Sequence, residues 1–309
     1  MIVRNNTEKK RLVAKLVEDQ LKLEKQFTPK VKSLLKDIGS DATNVYISTK
    51  TIIPTNNFIP QMIALLRSHY KRVIPKFGFS IRQQLGLKSF FIERSKNIDD
   101  DFELESSVYT INHSEEQAKI IMENHEAELE RNINKGLVAL LLLMGVSGDQ
   151  VAQALTLPAG ERRVLLQSMV DSNTSFNQQK KDKELRRLIK KEISGAAEGR
   201  AKAIAITETN NPINFATDTE AELSKRDPAM IIAAAAAGIS LGALQKEWVT
   251  IGDNRVRKTH VIANTQRALI GATYNVGGFA MRYPTDSSFG APAREIVNCR
   301  CKSITVVGG

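Results

Sequence analysis

The chain has 309 residues, 42% hydrophobic, 25% charged and 6% aromatic, with 44 Lys and Arg against 34 Asp and Glu and a net charge of +10. That length admits two compact domains, or one small domain on a long helical extension, and the low aromatic content suits helices packed through Leu, Ile and Ala. The longest apolar runs, Gly136–Val146 and Met230–Ile239, fall short of the roughly twenty residues that cross a bilayer, and the opening, polar from Arg4 onward, lacks a secretory leader pattern.

The only cysteines, Cys299 and Cys301, are separated by one residue and make no disulfide framework, so a reducing compartment fits best. The basic balance favours a polyanionic neighbour, with nucleic acid the commonest because neutralising phosphates releases counterions. A merely soluble basic surface is the plainer alternative.

From Thr7 to Ile38, Leu12, Val13, Leu16, Val17 and Leu21 recur at helical spacing and predict a basic N-terminal helix. Residues Asp41 to Pro60, with Pro54 and Pro60, read as an irregular or extended connection. Between Gln61 and Phe91 there is no acidic residue, while Arg67, Lys71, Arg72, Lys76, Arg82 and Lys88 interleave with His69, Tyr70, Phe77, Phe79, Phe90 and Phe91. Cations there can meet phosphates while rings stack on bases; the alternative is an amphipathic helix with core aromatics and solvated cations. The acidic run Asp99 to Glu105 reads as a solvated loop or partner surface.

A long helix is predicted from the Ser114-x-x-Gln117 cap through Met122, His125, Leu129, Ile133, Leu137, Leu140 and Met144 to about Gly145. Shorter helices follow at Ser147–Leu155 and Pro158–Val170, the second with Pro158 at an N1-like position. Another long helix is predicted from Ser175 to Thr209, its apolar series being Leu185, Leu188, Ile189, Ile193, Ala197, Ala201 and Ile204. Its polar face carries nine Lys or Arg against four Asp or Glu between Lys180 and Lys202, and Arg186, Arg187, Lys190 and Lys191 join the DNA-binding candidates beside an acidic protein partner as the alternative. The Ala233–Ala237 run with Gly238 and Gly242 suits a closely packed core helix.

After Leu244 the pattern turns to short β-like pieces at Trp248–Ile251, Gly278–Tyr283 and Ile296–Val307, separated by Gly, Pro and Asp turns. The fold class expected is therefore mainly α, with long N-terminal helices followed by a small C-terminal α+β domain. The expected division is a basic helical arm (1–60), a helical interaction region (61–174), long helices leading onward (175–245) and a compact α+β core (246–309).

Cys299 and Cys301 would place both sulfurs on one side of an extended segment, and His260 with Asp253 could complete a four-ligand zinc site if the fold gathers them. Two small buried thiols are the plainer alternative. Asp253, Arg255, Arg257 and His260 allow a charge network whether extended or helical; it could be an acid/base pair or a structural network pinning Trp248 and the cysteine strand. No phosphate-binding loop, nucleophile elbow, His-Glu-x-x-His or EF-hand pattern occurs, so a catalytic role is not expected.

In order and spacing, the string Arg200-Ala-Lys-Ala-Ile-Ala-Ile-Thr207-Glu208-Thr209, then Lys246-Glu-Trp248, Asp253-x-Arg255-Val-Arg257-x-x-His260, Gly278-Phe279 with Pro284-x-Asp286, and Asn298-Cys299-Arg300-Cys301 resemble the Mu F-like minor head protein family of tailed bacteriophages. The resemblance covers about the last 110 residues. One departure is the Asp-Gly-Gln-like turn of the family, which reads Asn264-Thr265-Gln266 here. The resemblance implies a minor capsid protein bound to the portal inside the head, acting in head morphogenesis and in DNA packaging or ejection. Implied partners are the portal, the major capsid or scaffolding protein and double-stranded DNA. The implied location is the virion near the portal vertex, with host cytoplasm during assembly. No cofactor is required by it, zinc being a possibility raised by the cysteines alone. The competing readings are a metal-dependent or acid/base enzyme acting on nucleic acid or protein, and a sequence-tolerant DNA-binding module.

Overall fold

The computed structural model describes residues 6–78, 96–236, 238, 240 and 244–307. The fold is mainly α: α1 (Asn6–Thr49), a 3-10 turn (Thr55–Phe58), α2 (Ile59–Gly78), α3 (Lys96–Leu143), α4 (Gly148–Leu155), α5 (Ala159–Ser172), α6 (Gln178–Ser224) and α7 (Pro228–Ala236). Short elements follow: β1 (Leu244–Val249), α8 (Lys258–Ala263), β2 (Arg267–Leu269), β3 (Tyr274–Val276), β4 (Phe279–Met281), α9 (Ala293–Ile296) and β5 (Lys302–Val307). Among the described residues no helix is long and apolar enough to cross a membrane.

Two compact units are assembled from interleaved segments. The first takes Met1–Thr28, Leu65–Ser114 and Lys202–Gly309; the second takes Pro29–Ala64 and Glu115–Ala201. Helices α1, α2, α3 and α6 contribute residues to both.

In the second unit, Val31, Leu35, Ile38, Ala42 and Tyr46 of α1 recur every three or four residues and are buried, as are Leu129, Ile133, Leu137 and Leu140 of α3 and Leu185, Ile189 and Ile193 of α6. Glycines set how closely these helices approach. A Cβ on Gly39 would stand 2.6 Å from Ile193 Cγ2, and one on Gly136 would stand 2.6 Å from Ile189 Cγ1. Polar contacts fix the register: Tyr46 Oη donates to Gln167 Oε1 (2.8 Å), and the Thr55 hydroxyl donates to the Met122 carbonyl (2.9 Å).

The first unit is organised around α6, where every residue from Ala205 to Glu220 except Phe215 is buried. Its sheet has the order β2-β1-β5, antiparallel throughout, with Trp248 opposite Ser303 and Val249 opposite Lys302; β3 and β4 form a separate hairpin. Trp248, Ala263, Tyr274, Val276, Met281, Ala291, Cys299 and Cys301 make one buried cluster.

Several boundaries differ from the sequence expectation. Helix α1 continues to Thr49, leaving only a short irregular stretch of the Asp41–Pro60 connection, because Ala42, Tyr46 and Ile47 bury one face of it, while Thr43 and Thr49 satisfy their hydroxyls on the Gly39 (2.7 Å) and Val45 (2.8 Å) carbonyls. The expected acidic loop at Asp99–Glu105 is helical, since α3 starts at Lys96 and buries Ile98 and Phe102. Ser114 is therefore no cap: its hydroxyl donates to Ile111 O (2.9 Å) and accepts from Arg67 Nε (3.1 Å). A reciprocal cap is found instead at Ser147, bonded to Gln150 at the start of α4, and Pro158 is the N-cap of α5 rather than N1. Phe79, Arg82, Lys88, Phe90, Phe91, Ala237 and Gly242 lie outside the described residues.

Two stability measurements follow from the second unit. Gly136→Leu should lower the free energy of unfolding by about 1–3 kcal/mol through overpacking against Ile189, whereas Gly195→Ala, where an added Cβ meets nothing within 4 Å, should stabilise the helix by up to about 1 kcal/mol; urea denaturation compares them. Burial, with Arg200 nearby, pushes His125 down from 6.5 to about 4. Below its unfolded value the unfolded chain binds the proton more readily, so stability is complete above pH 6.5 and falls as pH drops toward 4, by up to about 3 kcal/mol. His125→Leu should flatten that part of the stability-pH curve.

Candidate functional site

The site is built by four short stretches of the first unit. Strand β1 delivers Trp248 to the core, and the chain then turns through Gly252 (φ +74°) into the loop holding Asp253. Asp253 accepts from the backbone N–H of Arg255 (3.0 Å) and pairs with its guanidinium (3.0 Å), closing an exposed turn. Arg257 sits at the N-cap of α8 and donates to the Val297 carbonyl. One turn on, α8 presents His260, 1% exposed.

The sulfurs arrive from the stretch before β5. Asn298 adopts φ +61°, a left-handed conformation that Asn tolerates better than most residues, and its N–H donates to Thr207 Oγ1 of α6 (3.0 Å). The bend sends both thiols to the same ring nitrogen: His260 Nδ1 lies 3.6 Å from Cys299 Sγ and 3.4 Å from Cys301 Sγ. The opposite ring nitrogen, Nε2, meets Glu295 Oε2 at 3.2 Å, and Thr259 Oγ1 donates to the same oxygen (2.8 Å). Trp248 packs edge-on to His260 and to Tyr274, each with ring centroids 5.4 Å apart. A hydrogen bond from Cys301, aided by His260, holds the Cys299 thiol well below its ordinary range, while that same bond and burial raise Cys301.

Asparagines of α6 complete the frame. Asn210 Nδ2 donates to the carbonyls of Cys299 (3.0 Å) and Cys301 (3.2 Å), and Asn214 Nδ2 donates to Cys301 O (3.2 Å) while its Oδ1 accepts from Ser303 N (3.1 Å). These bonds lie along the edge of β5 that has no neighbouring strand among the described residues. Lys302, buried, donates to Gln20 Oε1 and Asn210 Oδ1 (2.5 Å each); burial pushes it down to about 7. Beside it Arg300 donates to Glu24 (3.0 Å).

The Thr207-Glu208-Thr209 string faces two ways. Thr207 holds Asn298, while Glu208 accepts from Tyr70 Oη (2.5 Å) and lies 3.5 Å from His113 Nε2, and Thr209 bonds His69 Nε2 (2.9 Å). Burial, reinforced by Glu208, holds the Tyr70 phenol well above its usual range and keeps it a donor. On the opposite flank, Lys246 meets Asp218 (2.7 Å), and Arg282 bridges Asp218 (2.9 Å) and Glu222 (2.7 Å). Burial raises Asp218 and lowers Lys246 despite their mutual attraction, which marks a pair whose desolvation is costly. Asp286 accepts from Arg282 N (2.7 Å) and Ser288 N (2.9 Å), shaping the turn in which Thr285 has φ +77°.

Of the four residues considered as metal ligands, His260, Cys299 and Cys301 are brought together with donor atoms within 4.8 Å of one another. Asp253 stays in its own turn with Arg255 and is not one of that group. Glu295, Asn210, Asn214, Asp218 and Lys302 were not singled out from sequence; the i, i+3, i+7 spacing of Thr207, Asn210 and Asn214 was the signal available. Among the DNA-binding candidates, Lys71, Arg72, Lys190 and Lys191 are exposed, Lys76 pairs with Asp19 (3.0 Å) and Arg187 with Glu184 (2.8 Å), and Arg186 binds Asn44. Arg67 and Lys71 also line a cavity of about 820 Å³ with Tyr70, Ile74, Phe102 and Thr110.

Comparison with family models, curated proteins and solved structures gave no match, so the chemistry of the cluster has to be read from its own residues. Asp218→Ala leaves Lys246 buried without its carboxylate and should cost about 3–5 kcal/mol. Replacing both partners, Asp218→Leu with Lys246→Met, should cost less than the single change when the two are compared by denaturant titration.

Proposed function

We propose that this chain is a minor head protein of a tailed bacteriophage, attached to the portal vertex inside the capsid and associated with packaged DNA. The observation that carries this reading is the ordered set of motifs from Thr207 to Cys301, which shares its order and spacing with the Mu F-like family. In the fold these residues are joined: Thr207 holds Asn298, and Trp248, His260, Cys299 and Cys301 occupy one buried core. Their role is to build the domain. At the position of the family's Asp-Gly-Gln-like turn, Thr265 takes φ +69° and donates its N–H to Trp248 O (2.8 Å), so the turn geometry that suits glycine is kept by a residue that strains to adopt it.

The partners in this reading are the portal, the major capsid or scaffolding protein, and double-stranded DNA, with assembly in the host cytoplasm and residence in the virion. Exposed Lys71, Arg72, Lys190 and Lys191 supply cations for phosphate. An enzyme reading draws on the sequence Cys299, His260, Glu295 in contact. Against it, the three side chains are only 2%, 1% and 4% exposed.

The test is co-expression with the portal protein encoded in the same genome, followed by size-exclusion chromatography and mass photometry at two salt concentrations. A complex of defined mass is expected at both. DNA binding should weaken steeply with salt, and Lys190→Ala with Lys191→Ala should reduce the slope of log affinity against log salt by up to about 0.9 for each phosphate that is no longer neutralised. A chain that remains apart from the portal at both salts overturns the reading.

A further inference from the structure

We infer that His260 Nδ1, Cys299 Sγ and Cys301 Sγ together bind one zinc ion, which fastens the cysteine stretch to α8. The inference stands on the three side chains and holds whether or not the protein serves at a portal vertex.

The spacing of the donors is the first support. Tetrahedral zinc with bonds of about 2.3 Å to sulfur and about 2.1 Å to nitrogen separates N and S ligands by about 3.6 Å. The two Nδ1 to Sγ distances are 3.6 and 3.4 Å, and all three donor atoms fall within 4.8 Å of one another.

Orientation is the second. A ligating imidazole usually gives its remote N–H to a carboxylate, which fixes the ring and leaves the near nitrogen with a free lone pair. Glu295 Oε2 stands 3.2 Å from His260 Nε2 and is itself held by the Thr259 hydroxyl at 2.8 Å. With the proton on Nε2, Nδ1 turns its lone pair toward the two sulfurs. The Gly277 position keeps this support compact, since a Cβ there would come within 3.2 Å of Glu295 Oε1 and 3.0 Å of Thr259 Cγ2.

Charge is the third. Two thiolates buried at 2% and 3% exposure are unfavourable alone, but two thiolates, a neutral imidazole and a dication form a neutral group. The Trp248 indole N–H is buried in the same cluster as Cys301 without a well-formed hydrogen bond, and a metal-bound sulfur would give it an acceptor. Binding releases the thiol protons to solvent, as zinc binding by cysteine must. Asp253 is engaged with Arg255 and does not join the three protein donors.

The experiment uses the full chain purified under reducing conditions. Elemental analysis should find about one zinc per chain, chelation should lower the thermal midpoint, and zinc alone should restore it. Cobalt(II) in place of zinc should give thiolate-to-metal charge-transfer absorption and the visible bands of a tetrahedral site. Cys299→Ser and Cys301→Ser should each abolish those bands. If these variants fail to fold, Glu295→Gln provides the second arm: it removes no ligand and should weaken zinc affinity by about 10–100-fold. Protein that is metal-free as purified and gains neither zinc nor thermal stability on reconstitution overturns the inference. So does a Cys299–Cys301 disulfide found by mass spectrometry in protein kept reduced until analysis, or selective retention of copper(I) in place of zinc.

Discussion

The edge of β5 is the constraint on which the first unit depends. A strand with a partner on one side only leaves backbone groups that must find other hydrogen bonds when buried. Here Asn210 and Asn214 of α6 take the place of the absent strand, reaching the carbonyls of Cys299 and Cys301 and the N–H of Ser303. An amide side chain carries both donor and acceptor, which is why Asn214 can serve a carbonyl and an N–H of the same strand. This requirement explains how a helix buried all around can be so polar between Thr207 and Glu220. Glu208, Asn210, Asn211, Asn214 and Asp218 are each matched to specific backbone or side-chain groups.

The same arrangement places the sulfur cluster. Once α6 holds Asn298 through Thr207 and the two cysteine carbonyls through Asn210, the intervening bend has little freedom, and both thiols point at His260. The histidine is fixed independently, by the N-terminal turn of α8 and by Glu295 beyond it. Two constraints from opposite sides thus converge on three donor atoms. Matching such buried polar groups matters because an unsatisfied one costs more than a formed hydrogen bond contributes net. Lys302 shows the same logic: a cation in the core is tolerated with Gln20 and Asn210 on it and Glu24 near, yet burial still pulls its pKa far down.

The second unit follows simpler rules. Its helices meet through Leu, Ile and Ala stripes, and Gly39 and Gly136 permit close approach at Ile193 and Ile189. Polar contacts such as Tyr46 to Gln167 set register where the apolar stripes alone would allow sliding. On α6 there, Lys190 and Lys191 are exposed and Arg187 is paired within its own helix, whereas Lys181 is buried and donates to the Asp171 carbonyl (3.0 Å).

Sequence by itself determined the mainly helical class, the change to short strands after Leu244 and the short helix that opens at Ser147. Each of these is written in residues near one another, as helical spacing or as alternation along an extended segment. The ends of elements were harder, because the burial of Tyr46 near the end of α1 and of Ile98 and Phe102 at the start of α3 takes effect only once neighbouring helices are in place. Tertiary structure alone decided which groups complete the site. Glu295 lies 35 residues from His260, and Asn214 lies 89 residues from Ser303. Asp253, seven residues from His260 and the nearer acid in the chain, is instead consumed by its own turn with Arg255. Periodicity records that a side chain is buried, but the identity of a buried polar partner depends on which distant segment the fold brings within hydrogen-bond distance.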